Sequence, residues 1–229
     1  MTKPSINPAS ETNQKLIEII RRTKIDFRFL KEDIEFRQMI CDAIMPDHDV
    51  LDVGESAREF YSRIAARSKM TLDINDFGDY PDVLGDICGD IDDSFDERFD
   101  HIVCLAILEH VYDPLAAVAN LHRMTKPGGI VSAYVPYLFP YHGPKDLSFQ
   151  DYYRFSKDGL SYLFRDFSDV TLYPIRGRYS TGGLIMFGRG WKRKLEKRLG
   201  KKINFFLDRF ADDDQNVRQC SGFNIWAVK

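Results

Sequence analysis

An acidic residue at a set distance from a glycine turn is the first feature of this chain that indicates chemistry. Residues 49–54 form a short, largely apolar run that ends in Gly54, as a buried parallel strand does before a tight turn. The next such run, 70–74, contains Asp73. A βαβ nucleotide-binding fold places a carboxylate about 20 residues after the glycine turn, where it accepts the two ribose hydroxyls. We therefore expect a nucleotide-type ligand at the ends of these two strands.

The other apolar runs alternate with amphipathic segments, as expected for a mostly parallel sheet flanked by helices. Strands are predicted at 49–54, 69–74, 82–85, 99–105, 130–135, 170–173 and 223–228, and helices at 57–66, 113–125 and 156–164. Two further amphipathic segments precede the first strand. They have two possible positions, over the mouth of a ligand pocket or against one edge of the sheet.

The composition is that of a soluble globular domain without a general attraction to nucleic acid. Of the 229 residues, 44% are hydrophobic and 29% charged, and the net charge is −3, so no specific nucleic-acid partner is expected. No apolar stretch reaches the ~18 residues of a membrane span, and the N-terminus does not resemble a signal peptide. The four cysteines are far apart and form no CxxC pair. These features predict reduced thiols and a cytoplasmic location.

A basic segment near the C-terminus stands apart from this sheet pattern. Residues 189–202 contain eight lysines and arginines and one acid, Glu196, with apolar residues on one helical face. Such a helix binds an anionic membrane surface or an anionic substrate, or forms the solvated face of a packed helix. A peripheral contact of 189–210 with the inner face of a membrane, and self-association, are both left open. The acidic stretch between Asp73 and Asp100 is expected to be solvated, and no metal site is predicted.

Five segments occur in an order that is typical of one family. They are Val50-Leu51-Asp52-Val53-Gly54, Leu72-Asp73, Gly85-Asp86-Ile87, Phe99-Asp100 followed by 107–114, and Lys126-Pro127-Gly128-Gly129. This set resembles the class I S-adenosylmethionine-dependent methyltransferases over residues 45–175 and the last strand. Later segments resemble a narrower branch, found among small methyltransferases of bacterial sugar and surface-glycan biosynthesis. Those segments are Pro136-Tyr137, Tyr141-His142-Gly143, Asp151-Tyr152-Tyr153-Arg154-Phe155-Ser156 and Gly159-Leu160.

The resemblance implies an α/β, Rossmann-like fold. Its seven-stranded, mostly parallel sheet has one antiparallel strand at the edge and helices on both faces. We expect one methyltransferase domain over 1–229. Its parts are an N-terminal helical cap (1–45), a core (46–176), a helical insertion (177–219) and a final strand (220–229).

The family binds S-adenosylmethionine, and releases S-adenosylhomocysteine, outside the carboxyl ends of the strands. The resemblance implies that Asp73 accepts the ribose hydroxyls, and that Asp86 and the Ile87 backbone bind the adenine edge. It also places Leu105 and Ala106 near the methionine part of the cofactor. The complete set of implied cofactor-binding residues is Asp52, Gly54, Glu55, Ser56, Asp73, Ile74, Asp86, Ile87, Leu105 and Ala106.

The turn after the first strand departs from the family pattern. That turn is usually rich in glycine, but here Gly54 is followed by Glu55-Ser56-Ala57-Arg58. Glu55 is expected to repel the carboxylate of the cofactor and to attract its ammonium group. Arg58 either pairs with that carboxylate or lies on the surface.

Methyl transfer to a hydroxyl needs in-line alignment and is assisted by a general base within hydrogen-bond reach. His142 is the first candidate base, because it lies in the loop after the fifth strand; a structural turn histidine is the alternative. His110, after the fourth strand, is the second candidate, and Asp151 is a candidate for orienting the acceptor. The candidate acceptor-binding residues are Tyr137, Tyr152, Tyr153 and Arg154. Alternatively, these side chains pack in the core or pair within the loop.

This combination favours O-methylation of a sugar, a nucleotide-sugar or a lipid-linked glycan in surface polysaccharide biosynthesis. The expected partner is therefore a small-molecule or glycan acceptor. Two alternatives are a small-molecule O- or N-methyltransferase unrelated to glycans, and a non-catalytic binding protein with a degenerate cofactor turn.

Overall fold

The computed structural model describes residues 11–28, 34–146, 148–186, 208 and 210–229. Its strands are β1 (Lys24–Ile25), β2 (Asp49–Val53), β3 (Ser68–Asp73), β4 (Val83–Leu84), β5 (Phe99–Leu105), β6 (Thr125–Pro136), β7 (Asp169–Ile175) and β8 (Gly222–Val228). Its helices are α1 (Glu11–Arg22), α2 (Ile34–Ala43), α3 (Pro114–Met124), α4 (Lys157–Leu163) and α5 (Asp213–Arg218), with 3₁₀ turns at Tyr61–Arg63 and Asp93–Phe95 and further helical residues at 178–186.

All the described strands belong to one sheet with the order β1-β7-β8-β6-β5-β2-β3-β4. The pairs from β4 to β6 are parallel, whereas β8 is antiparallel to both of its neighbours. The chain passes from β2 outward to β3 and β4, and then returns to β5 on the other side of β2. Ligands of open α/β sheets bind at such a reversal of strand order, outside the carboxyl ends of the strands.

The sheet has eight strands in the described part of the chain, one more than the seven that were predicted. The extra strand, β1, is only two residues long and pairs in parallel with Thr171 and Leu172 of β7. The antiparallel strand was expected at the edge, but β8 lies between β7 and β6. The Rossmann-like architecture itself, a mostly parallel sheet with helices on both faces, is confirmed.

Alternate residues of the central strands face two separate apolar clusters, as the period of a strand requires. In β5, Ile102 and Cys104 belong to a cluster with α3 and α4, whereas Val103 and Leu105 face the opposite cluster with α2. Asp113 caps α3 by accepting the N–H groups of residues 115 and 116. These packed layers fix the strand ends from which the site is built.

The helix predicted at 57–66 is not formed. Residues 54–60 are turns, followed by the 3₁₀ turn Tyr61–Arg63. Hydrogen bonds that span three residues, such as Phe60 N–H to the Ala57 carbonyl at 2.8 Å, replace those of an α-helix. Ala57, Phe60 and Ile64 still pack against the α2 side of the sheet. The tighter winding thus buries the same apolar residues that indicated a helix.

The described part of the N-terminal region packs on the sheet rather than over a pocket. β1 extends the sheet edge, and Phe36, Ile40 and Ile44 from the α2 region pack in the cluster that contains Leu105. The basic segment 189–202 lies outside the described residues, as does 189–210 apart from residues 208 and 210. None of the helices described combines the length and apolar character that crossing a bilayer requires.

Candidate active site

A cavity of about 530 Å³ opens at the carboxyl ends of β2, β3, β4 and β5. It is lined by residues 53–54, 72–75, 77, 85–87, 106–107, 110–112, 148–150 and Tyr152. Volumes of roughly 300–1,000 Å³ are usual for small-molecule sites. The cavity therefore lies at the position that the strand order predicts, and it is large enough for a cofactor.

The turn after β2 is held by the buried carboxylate of Asp52. Its Oδ1 accepts hydrogen bonds from Ser56 Oγ at 2.7 Å and from the Ala57 N–H at 3.0 Å. Burial raises the pKa of Asp52 to about 6, although these hydrogen bonds oppose the increase. Asp52 and Ser56 thus shape the turn, and they are not among the residues that line the cavity.

Gly54 brings the backbone of this turn close to the segment after β5. Its φ is +68°, and a Cβ built on it would lie only 2.3 Å from Cδ1 of Ile107. Glu55 also has a positive φ, of 50°, and its side chain forms an ion pair with Arg58. The Glu55 carboxylate therefore has a partner within the turn, and neither residue lines the cavity.

Asp73, the last residue of β3, presents its carboxylate at the cavity. One oxygen accepts the N–H of Asn75 at 2.9 Å and the other accepts the Tyr80 hydroxyl at 3.2 Å. Ile74, predicted with it, also lines the cavity. The side chain is therefore fixed in position by its own loop while a carboxylate remains available to the cavity.

Asp86 and Ile87 line the cavity beside Asp73. The N–H of Gly85 donates to the Asp73 carbonyl at 2.9 Å, and this bond joins the two segments. Asp86 accepts the Cys88 N–H at 2.8 Å and the Tyr112 hydroxyl at 2.9 Å. These bonds hold the carboxylate at the cavity wall.

The two residues predicted to contact the cofactor at the end of β5, Leu105 and Ala106, face different sides of the sheet. Ala106 lines the cavity with a φ of 58°, and its N–H donates to the Tyr134 carbonyl at 2.9 Å. Leu105 instead faces the α2 side of the sheet, because neighbouring residues of a strand point to opposite faces. A positive φ is a strained conformation for alanine, and in proteins such strain is concentrated at functional sites.

Beyond Ala106, a group that we name the Glu–His cluster (Glu109, His110, His142) forms at the cavity wall. Oε1 of Glu109 lies 3.7 Å from Nε2 of each imidazole. The two imidazole rings meet edge to face with centroids 4.9 Å apart. Of the three residues, only His110 lines the cavity, so the cluster reaches the cavity through that side chain.

The loop 137–155 supplies His142 and the residues that position it. Oδ2 of Asp151 accepts the backbone N–H of His142 at 2.8 Å and lies 3.2 Å from its Nδ1. Arg154 forms an ion pair with Asp151 and lowers the pKa of that carboxyl to about 2. The Glu109 carboxylate, together with Asp151, raises the pKa of His142. Arg154 also donates to the carbonyls of 139 and 140, so its guanidinium is engaged within the loop.

The predicted acceptor-binding tyrosines have different positions. Tyr152 is half exposed and lines the cavity. The Tyr153 hydroxyl donates to the Tyr112 carbonyl, and Tyr137 packs partly buried against Phe223 of the core. Tyr153 and Tyr137, like Arg154, His142 and Asp151, are outside the cavity lining.

The sequence interpretation missed Glu109 and two aromatic residues. Glu109 was quoted only as part of a motif, although its side chain is 1% exposed, and a buried carboxylate is uncommon without a partner. Phe77 and Phe149 line the cavity and are largely exposed. Phe149 lies in the loop 137–155, whose many aromatic residues are a signal of function in the sequence, whereas Phe77 follows Asp73 in a segment with no recognisable signal.

The cavity residues fit the adenosyl cofactor that the sequence resemblance implies. Gly54 allows the turn to approach Ile107 where a Cβ would not fit, and Asp73 and Asp86 place two carboxylates at the same cavity. A carboxylate at the end of the second strand suits ribose hydroxyls, and the glycine turn allows close backbone approach.

A family model supports this assignment. Residues 51–133, from β2 into β6, match the model of a family described as a methyltransferase domain. The matched region contains Gly54, Asp73, Asp86 and Ala106. A search of curated protein sequences found no match.

Solved structures share the fold at low sequence identity. A putative methyltransferase of Haloferax volcanii, in complex with the Trm112 methyltransferase activator, is 16% identical with a TM-score of 0.53, covering 85% of this chain and 88% of that chain. A methyltransferase of Archaeoglobus fulgidus, described as dependent on S-adenosylmethionine, is 13% identical with a TM-score of 0.51, covering 86% and 91%.

A third solved structure carries ligands. Phosphoethanolamine N-methyltransferase 2 of Haemonchus contortus, in complex with phosphomonomethylethanolamine and S-adenosylhomocysteine, is 15% identical with a TM-score of 0.50. The match covers 85% of this chain but 52% of that one. Residues 51–133 therefore match a methyltransferase domain, and the strand order and the cavity agree with the fold of the S-adenosylmethionine-dependent methyltransferases.

Proposed function

We propose that this methyltransferase acts on a hydroxyl group of a sugar, a nucleotide-sugar or a lipid-linked glycan, in surface polysaccharide biosynthesis. The observation that carries the proposal is the buried carboxylate of Glu109, which faces two imidazoles at the wall of the cofactor cavity. S-adenosylmethionine, when bound, supplies an electrophilic methyl group. A hydroxyl acceptor must lose a proton in the reaction, and basic groups must therefore lie beside the cavity.

The orientation of the imidazoles supports this role for the Glu–His cluster. Nδ1 of His110 lies 2.5 Å from the Gln150 carbonyl, which can only accept, so this nitrogen carries the proton and Nε2 presents a lone pair. Nδ1 of His142 lies 3.2 Å from the Asp151 carboxylate and 3.4 Å from Nη2 of Arg154, which can only donate, while its Nε2 faces Glu109. We propose that the cluster as a whole activates the acceptor hydroxyl, with Asp151 positioning His142.

Aromatic side chains around the cavity support a ring-shaped, polar acceptor. Phe77, Tyr112, Phe149 and Tyr152 line the cavity, and each is more than 40% exposed. Exposed apolar patches with a polar rim mark binding sites, and flat rings pack against the apolar faces of sugars. We propose that Tyr152 contacts the acceptor directly, and that Tyr137, Tyr153 and Arg154 keep the loop in place.

An amine acceptor is the second candidate. The Glu109 carboxylate accepts no hydrogen bond from any described residue, and an anionic group of this kind can pair with an ammonium ion. This would be N-methylation of a small molecule unrelated to glycans.

A product assay separates these candidates. The purified chain is incubated with S-adenosylmethionine and either nucleotide-sugars or small primary amines, and the released S-adenosylhomocysteine is measured. We expect turnover with hydroxyl acceptors, and a loss of about 10²–10⁴-fold in kcat for Glu109→Gln. Glu97→Gln is the control, because Glu97 pairs only with Lys229 at the surface among the described ion pairs. Turnover with amines alone would contradict O-methylation and support the amine acceptor.

Three further predictions remain proposals. They are the division of the chain at 45, 176 and 219, the contact of 189–210 with a membrane, and self-association. Vesicle sedimentation with anionic lipids, and light scattering of the purified chain, test the last two.

A further inference from the structure

The three side chains of the Glu–His cluster point their binding atoms at one place. One such atom from each of Glu109, His110 and His142 lies within 4.8 Å of the others. Glu109 is 1% exposed, and neither of its carboxylate oxygens accepts a hydrogen bond within the described part of the chain. A buried carboxylate without hydrogen bonds is costly unless a cation neutralises it.

The far sides of both imidazoles are held by oxygen atoms. Nδ1 of His110 lies 2.5 Å from the Gln150 carbonyl, and Nδ1 of His142 lies 3.2 Å from the Asp151 carboxylate. Histidines that bind metals almost always donate the other ring N–H to a carbonyl or a carboxylate. Nε2 of each imidazole faces Oε1 of Glu109 at 3.7 Å, so these two nitrogens are the ligand atoms that the histidines offer.

We propose that Glu109, His110 and His142 bind a divalent transition-metal cation, with zinc as the best match. Two imidazoles and one carboxylate are a donor set that suits zinc and iron better than magnesium. A tetrahedral zinc ion with ligands at about 2.1 Å places neighbouring ligand atoms roughly 3.4 Å apart. The observed separations are 3.7 Å between Glu109 and each imidazole and at most 4.8 Å within the group, and side-chain rotations bring the three atoms to this spacing.

The charges around the cluster permit a cation. Arg154 is the cation nearest to His142 among the described contacts, with Nη2 at 3.4 Å from Nδ1. Its charge is balanced by Asp151, with which it forms an ion pair. The Glu109 carboxylate therefore has only the two imidazoles, each 3.7 Å away, as ion-pair partners in the described part of the chain.

The position of the cluster beside the cavity gives the cation a role in activating the acceptor hydroxyl. This role rests on the proposed function. Three protein ligands leave a coordination position free, as in catalytic zinc sites, and His110 extends to the cavity. A bound cation lowers the pKa of a hydroxyl that coordinates to it, and the released proton passes to solvent. The cation then activates the hydroxyl while both Nε2 atoms act as ligands.

Calorimetric titration of the chelator-treated chain with zinc chloride tests this inference without acceptor or cofactor. We expect one ion per chain, and an affinity at least 10-fold weaker in Glu109→Gln and in His110→Ala. His122→Ala is the matched control, because His122 packs against Phe167 away from the cavity. Magnesium chloride should bind more weakly than zinc. Circular dichroism melting establishes that each variant is folded.

Cobalt(II) gives a second readout, because visible absorption bands of the ion report imidazole coordination. The absence of zinc binding at millimolar concentration, or binding that Glu109→Gln leaves unchanged, would overturn the inference. A parallel titration with S-adenosylhomocysteine separates the two proposals. A chain that binds S-adenosylhomocysteine but not zinc contradicts only the metal site, whereas the opposite result contradicts only the proposed reaction.

Discussion

The backbone N–H of His142 donates to Oδ2 of Asp151 at 2.8 Å, and the ring Nδ1 of the same histidine lies 3.2 Å from that oxygen. One carboxylate oxygen therefore fixes both the backbone and the ring of His142. Arg154 donates to both oxygens of this carboxylate and lowers its pKa to about 2. The orientation of His142 towards Glu109 thus depends on Asp151.

Replacement of Asp151 by asparagine should weaken zinc binding by about 10–100-fold, the usual effect of losing a group that orients a metal ligand. The amide removes the charge that holds the ring N–H and leaves Arg154 without its partner. Zinc calorimetry measures the change. Asp158→Asn, at an exposed pair with Lys157, should have no effect. Equal affinities for the Asp151 variant and the wild type would contradict this role.

Gly54→Ala and Gly78→Ala separate backbone strain from crowding at the cofactor turn. Both glycines have positive φ, so each substitution should lower the free energy of unfolding by about 1–2 kcal/mol. Only the Gly54 variant places a Cβ against Ile107, at 2.3 Å, whereas Gly78 has no atom within 4 Å of that position. Urea unfolding measures the cost of the backbone strain, and cofactor calorimetry measures the effect of crowding on cofactor affinity. We expect at least a 10-fold loss of affinity for Gly54→Ala alone; an equal loss in both would argue against close approach at Gly54.

Asp52 should impose a pH dependence on stability. Burial raises its pKa from 3.8 to about 6 in the folded state, so the folded chain binds this proton more tightly than the unfolded chain. The resulting stabilisation is complete below about pH 4 and is lost as the pH rises through 6. The free energy of unfolding of the wild type, relative to Asp52→Asn, should therefore fall by about 2 kcal/mol between pH 4 and 6. Urea unfolding at several pH values measures it, and parallel profiles for the two proteins would contradict the shift.

The strand-end residues were predictable from the sequence because local chemistry fixes them. A glycine is needed where the turn after β2 approaches Ile107, and Asp73 ends a strand whose preceding residue, Leu72, is buried in the core. Leu105 and Ala106 show the limit of this reasoning. A motif places both residues at a strand end, but the alternation of the strand sends Leu105 to the opposite face.

The Glu–His cluster was not predictable, because long-range backbone contacts assemble it. The N–H groups of Tyr152 and Tyr153 donate to the Glu109 carbonyl at 2.8 and 3.2 Å, and these bonds bring the loop 137–155 over the end of β5. Backbone hydrogen bonds leave no residue-type pattern in a sequence. The same reason explains β1, whose two residues are too few to show a strand period.

Calorimetric titration of the wild type and of Asp73→Asn with S-adenosylmethionine and S-adenosylhomocysteine tests most directly whether the cavity binds the cofactor. We expect micromolar binding to the wild type and a loss of about 10–100-fold in the variant, because hydrogen bonds to a charged group contribute roughly 1.5–3 kcal/mol. Asp76→Asn is the control, since Asp76 caps its own turn at Gly78 and is not part of the cavity lining. A folded wild type that binds neither compound at millimolar concentration would contradict the assignment of the cavity to the cofactor.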